Sequence, residues 1–136
     1  MNKQTVVIAG QGREQASALL SKLLPSEIQI FTTSGEAPEF RDTRCAMALI
    51  LPVPTGSGRA LRRSLRALTH RKGLIVAYGR DPSIRLGCKG FAYRFRWFDE
   101  TRPWPGVASG ELAIIGALRI AHELGVDQET IKRVLR

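Results

Sequence analysis

The chain has 136 residues, 43% of them hydrophobic and 24% charged, a size and balance that suit one folded domain and exclude a disordered chain. Its longest apolar stretches, 46–53 and 112–120, fall short of the roughly 18–20 residues that cross a bilayer, and the first residues lack the apolar region of a secretory signal. The expectation is a cytoplasmic single domain over 1–136 with no membrane partner, whose net charge of +9 points to acidic partners, nucleic acid first and an acidic protein second.

Residues 5–9 are a β-branched run that Gly10-Gln11-Gly12 ends. Residues 13–24 follow with Ala16, Leu19, Leu20, Leu23 and Leu24 at the spacing of an amphipathic helix. Pro25-Ser26 stops it, and 28–32 alternate as a half-buried strand does. Such a βαβ unit calls for parallel strands with a right-handed crossover. A charged loop over 34–42 leads into 46–51, apolar almost without interruption and therefore suited to a strand buried on both faces. Leu61, Leu65 and Leu68 recur at helical spacing over 59–69, and 74–78 read as a fourth strand.

Residues 79–90 carry three glycines and a short apolar signal, which reads as a loop with at most one helical turn. From 91 to 98 aromatic and basic side chains alternate, placing Phe91, Tyr93, Phe95 and Trp97 on one face of a strand and Arg94 and Arg96 on the other. Residues 110–124 form an apolar helix, Gly125 its C-cap, and Asp127 caps a last helix through 136. The alternation of strand and helix predicts a Rossmann-like or flavodoxin-like three-layer α/β domain, closed by a helical pair over 109–136.

The strongest charge signal lies on the helix after the third strand. Arg59, Arg62, Arg63 and Arg66 form one stripe opposite Leu61, Leu65 and Leu68. With Arg71 and Lys72 the stretch 59–72 holds six cations and no acid, leaving +3 for the rest of the chain. A solvated face usually mixes signs, so an acid-free stripe favours a polyanion or an acidic partner. Arg94 and Arg96 among the rings have the makings of a single-strand platform, although rings sharing one face are also ordinary core.

Two turns could meet a phosphate. Gly10 and Gly12 follow a strand as in a dinucleotide-binding turn, but Gln15 and Ala16 stand where a third glycine belongs, and the second strand ends without an acid for a ribose. Thr55, Gly56, Ser57 and Gly58 could present N–H groups and hydroxyls to an anion, with no lysine in P-loop spacing. A small nucleotide- or phosphate-binding domain is therefore the alternative reading, and an assembly protein docking an acidic partner is another. Apart from Asp99-Glu100 carboxylates occur singly, and Ser57 and Ser109 have no histidine in motif, so no catalytic residue is nominated and an enzyme is less favoured than a binding protein. Cys45 and Cys88 are expected as free thiols, and with His70 and His122 they suggest no metal site and no cofactor. A homo-oligomer stays open.

Residues 117–136 carry a family resemblance, in the run Ile120-Ala121-His122-Glu123-Leu124-Gly125-Val126-Asp127-Gln128-Glu129-Thr130-Ile131-Lys132-Arg133-Val134-Leu135-Arg136. The segment resembles the helix-turn-helix of bacterial repressors, and also that closing the central domain of Mur-type ligases, whose P-loop this chain lacks. The repressor resemblance implies that Ala121 admits the second helix, Gly125 makes the turn, and Ile131 and Val134 pack. Gln128, Glu129, Lys132 and Arg133 would then face a major groove. The reading is a DNA-binding or regulatory protein, DNA favoured over RNA, using Arg59, Arg62, Arg63 and Arg66 with Arg71, Lys72, Arg94, Arg96, Gln128, Lys132, Arg133 and Arg136.

Overall fold

A computed structural model describes residues 5–33, 47–53, 58–66, 73–91, 93–102 and 104–136. In chain order the elements are β1 (Thr5–Ala9), α1 (Arg13–Leu23), β2 (Gln29–Thr33), β3 (Met47–Ile50), α2 (Gly58–Arg66), β4 (Leu74–Tyr78), α3 (Pro82–Cys88), β5 (Arg94–Phe98), α4 (Leu112–Glu123) and α5 (Gln128–Leu135). The strands form one sheet in the order β2-β1-β3-β4-β5, and all four pairings are parallel. That order is flavodoxin-like, with a switch between β1 and β3 where the chain changes its direction of winding.

Side chains alternate across the sheet and so divide the core in two. Val6, Ile8, Leu49, Leu74, Val76 and Phe98 face α1, α4 and α5, meeting Leu20, Ile115, Leu118 and Ile131. Val7, Ala9, Ala48, Ile50, Ile75 and Ala77 face α2 and α3, meeting Leu61, Leu65, Ile84 and Cys88. β1 and β3 are buried along their whole length, which is why β3 is apolar at every position and β1 at every position but Thr5. The edge strands β2 and β5 keep exposed residues, Phe31 and Trp97 among them. Each fully buried leucine or isoleucine contributes about 1.5–3 kcal/mol by leaving water. No helix among the described residues is long and apolar enough to cross a membrane.

Two expectations change. The stretch expected as a loop with at most one turn contains α3, which Asp81 starts by accepting a hydrogen bond from the Ser83 amide at 2.8 Å, with Pro82 in the first turn. Ile84 and Cys88, four apart, bury against the sheet and supply the stability that the glycines withhold. β5 starts at Arg94 rather than 91, so Phe91 and Tyr93 belong to the approach to the strand. The expected loop at 34–42, the end of the helix expected to 69, and Cys45, Thr55, Gly56, Ser57, Leu68, His70, Arg71 and Lys72 lie outside the described residues.

Candidate nucleic-acid interface

Helices α2 and α3 cross at close range because glycines meet at the crossing. A Cβ on Gly87 would lie 3.0 Å from the Gly58 carbonyl oxygen and 3.0 Å from Leu61 Cδ2; one on Gly58 would lie 3.0 Å from the Ser83 carbonyl oxygen. Two helix backbones this near leave no room for a side chain between them. Leu61, Leu65, Ile84 and Cys88 hold the pair on the sheet, which turns the cationic sides outward. Arg59 and Arg63 are exposed and Arg62 is half-buried.

Between the two helices runs an open groove of about 580 Å³ lined by Gly58, Arg59, Arg62, Leu86, Lys89 and Gly90. Arg62 donates from Nη1 to the Lys89 carbonyl and lies over the Phe91 ring at 5.1 Å. Leu86, 61% exposed, puts an apolar contact among these cations. Arg85, the residue before Leu86 in α3, donates from Nε to the Gly79 carbonyl at 2.9 Å and lies 3.8 Å over Trp97.

Among the described residues no carboxylate pairs with a cation of α2 or α3. α2 and α3 contain five arginines and no acid. The nearest acid in sequence, Asp81, is committed to the Ser83 amide and, at 3.4 Å, to the Val53 amide. Among the described residues the ion pairs are Arg80–Glu100 and Arg96–Glu123, each at 3.5 Å and neither on α2 or α3.

The remaining sequence-predicted cations stand elsewhere. Phe95 packs toward α2 and α3, so Arg94 and Arg96 point to the opposite side, where Arg96 pairs with Glu123 of α4. α5 rests on α1 and buries Ile131 in the same core as α4, leaving Gln128, Glu129, Lys132, Arg133 and Arg136 exposed on that side. The sheet therefore separates Arg59, Arg62 and Arg63 from Arg94, Arg96, Lys132, Arg133 and Arg136. Between α4 and α5 the Val126 amide donates to the Ala121 carbonyl and the Gly125 amide to the His122 carbonyl, both at 3.0 Å. With Gly125 at φ +85° this is a Schellman ending, followed by Asp127 capping α5 through the Thr130 amide at 2.7 Å.

At the β1–β3 switch the glycine turn is tightly engaged. The Gly10 amide donates to the Thr33 carbonyl at 3.2 Å and the Gln11 amide to the Pro52 carbonyl at 2.8 Å. Gly10 has φ +103°, and a Cβ there would sit 2.4 Å from the Leu51 carbonyl oxygen; one on Gly12 would sit 2.8 Å from Ala113 Cβ. These glycines let three segments approach one another, and the two amides are already spent on carbonyls.

Sequence reasoning missed Arg85 and Lys89 because α3 read as a loop; the Asp81-Pro82 start signal and the Ile84–Cys88 spacing were the signals that mark it. Away from the groove, Cys88 is buried and desolvation pushes its thiol up to about 12, which makes it a packing residue. Among the described residues no group of three or more His, Cys, Asp or Glu is placed to hold a metal ion. Comparison with protein-family models and with curated proteins finds no match for the chain.

Proposed function

We propose that the protein binds nucleic acid, DNA in preference to RNA, through the side of the domain formed by α2 and α3. The observation that carries this reading is the acid-free pair of helices: α2 and α3 contain five arginines and no acid, and Arg59, Arg62 and Lys89 line the groove between them. Like charges at i,i+3 and i,i+4 destabilise an isolated helix by about 0.2–0.5 kcal/mol per pair. Arg59, Arg62, Arg63 and Arg66 form several such pairs, and a phosphate backbone would relieve all of them at once while releasing its counterions.

The terminal helix pair keeps Gln128, Glu129, Lys132 and Arg133 exposed, as a base-reading helix requires. Because it lies across the sheet from α2, base reading there would be a separate contact, tested by whether Gln128→Ala or Lys132→Ala changes sequence preference. Anisotropy titration of the whole chain with random-sequence duplex DNA over a range of salt tests the main proposal. Affinity is expected to fall with a log–log slope of ~0.9 per phosphate contacted. Failure to bind duplex DNA, single-stranded DNA or RNA at low salt would overturn it in favour of an acidic protein or a small anion.

A further inference from the structure

Two guanidinium groups on the α2/α3 side are held in place by rings. Arg62 is tethered to the Lys89 carbonyl and lies over Phe91; Arg85 is tethered to the Gly79 carbonyl and lies over Trp97. Each ring belongs to a stacked pair, Phe91 with Tyr93 and Phe95 with Trp97, both with centroids 5.5 Å apart. The pairs are anchored beneath: Phe91, Tyr93 and Phe95 pack onto the core under α2 and α3, and the Tyr93 hydroxyl donates to the Leu65 carbonyl at 3.0 Å. Gly79 keeps the space open, since a Cβ there would lie 3.0 Å from Arg85 Nη2 and 3.4 Å from Trp97 Cβ.

A guanidinium stacked on a ring and tethered by one N–H keeps its other donors and has little rotamer freedom left to lose, which suits it to a phosphate. The same packing uses up ring surface that unpaired bases would need. Trp97, at 37% exposed, already carries the Arg85 guanidinium over its ring, while the other three rings are half-buried. Base-stacking platforms depend on open ring faces.

We infer that Arg62 and Arg85 are preorganised phosphate anchors positioned by Phe91 and Trp97, and that this side grips the sugar–phosphate backbone of duplex DNA without stacking single-stranded bases. This rests on the nucleic-acid reading above and assigns its ligand class. The test is anisotropy titration of the whole chain with a duplex and with one of its strands, for the unaltered protein, Arg85→Ala, Arg85→Lys, Trp97→Leu and the Arg85→Ala/Trp97→Leu double variant. Arg85→Ala is expected to weaken duplex binding about tenfold, the loss of one charge-assisted contact, and to lower the salt slope by ~0.9. Arg85→Lys keeps the charge and the salt slope but is expected to lose affinity with the fork. Trp97→Leu should weaken the duplex complex, and the double variant should bind no worse than Arg85→Ala, because the ring acts through the arginine. A single strand bound more tightly than the duplex, with that preference lost in Trp97→Leu, would overturn the inference, as would additive losses in the double variant. Unaltered binding in all variants would overturn the anchors and leave the nucleic-acid reading standing; no binding by the unaltered protein would remove both.

Discussion

Helices α1, α4 and α5 together carry five cations and three acids, whereas α2 and α3, with about half as many residues, carry five arginines and no acid. The first group also holds most of the apolar anchorage: α4 alone buries Ala113, Ile115, Ala117, Leu118, Ile120 and Ala121. Mixed signs and a deep apolar face serve stability, since neighbouring charges offset one another and burial does the rest. An acid-free pair of thin helices works against stability and favours an external anion. The two sides of one sheet thus differ, one suited to holding the fold and the other, on the proposed reading, to contact.

The sharpest way to break that comparison is to move the same charge on each side. Arg59→Glu/Arg63→Glu and Lys132→Glu/Arg133→Glu each change the net charge by −4, so bulk electrostatics are matched. The α2 variant is expected to lose duplex affinity about a hundredfold at low salt, with a salt slope lower by ~0.9 per contact removed. The α5 variant should lose less than about threefold, the effect of long-range charge alone. Equal losses would mean that net charge, not this surface, governs binding.

The stability side is sharpened by Leu118→Ala, which empties the core beneath α4. Denaturant unfolding should show a loss of about 2–5 kcal/mol, with the salt slope of binding unchanged wherever the protein is still folded. A smaller loss, about 1 kcal/mol, is expected for Asp127→Ala, which removes the cap of α5 and should leave affinity for random duplex intact.

The smallest effects should appear in the pH dependence of the thermal midpoint. Hydrogen bonding from the Tyr78 hydroxyl chiefly holds Glu100 below its ordinary range, and the Thr130 amide does the same for Asp127. Their folded forms bind fewer protons in acid than the unfolded chain does. This contribution is present above the ordinary values of 4.5 and 3.8 and is lost as pH falls through the lower folded values. Burial pushes Cys88 from 9.0 to about 12 and Tyr78 from 10.0 to about 12, so the folded state keeps protons that the unfolded chain gives up. That contribution is complete below pH 9 and should decline between pH 9 and 12. A midpoint rising across that alkaline interval would contradict the assignment.

Much of the sheet is legible in the sequence because continuous apolar runs such as Met47–Ile50 fit a strand covered on both faces. The α2 stripe is legible for a similar reason, since Leu61 and Leu65 fix which side of the helix is buried. α3 is hidden because Gly87 serves the crossing with Gly58, a tertiary requirement that local periodicity reads as a break. Alternation along 94–98 separates Arg94 and Arg96 from Phe95 and Trp97, but only the tertiary packing shows that they face α4 and not α2. The arginine–ring contacts depend on residues far apart in the chain, Arg62 with Phe91 and Arg85 with Trp97, and no spacing rule connects them.

The division between the two sides is tested most directly by hydrogen–deuterium exchange of the whole chain with and without saturating random-sequence duplex. Slower exchange is expected in 58–66 and 82–98, with 128–135 unchanged. Protection confined to 128–135, with 58–66 exchanging as in the free protein, would contradict it and move the contact surface to the terminal helices.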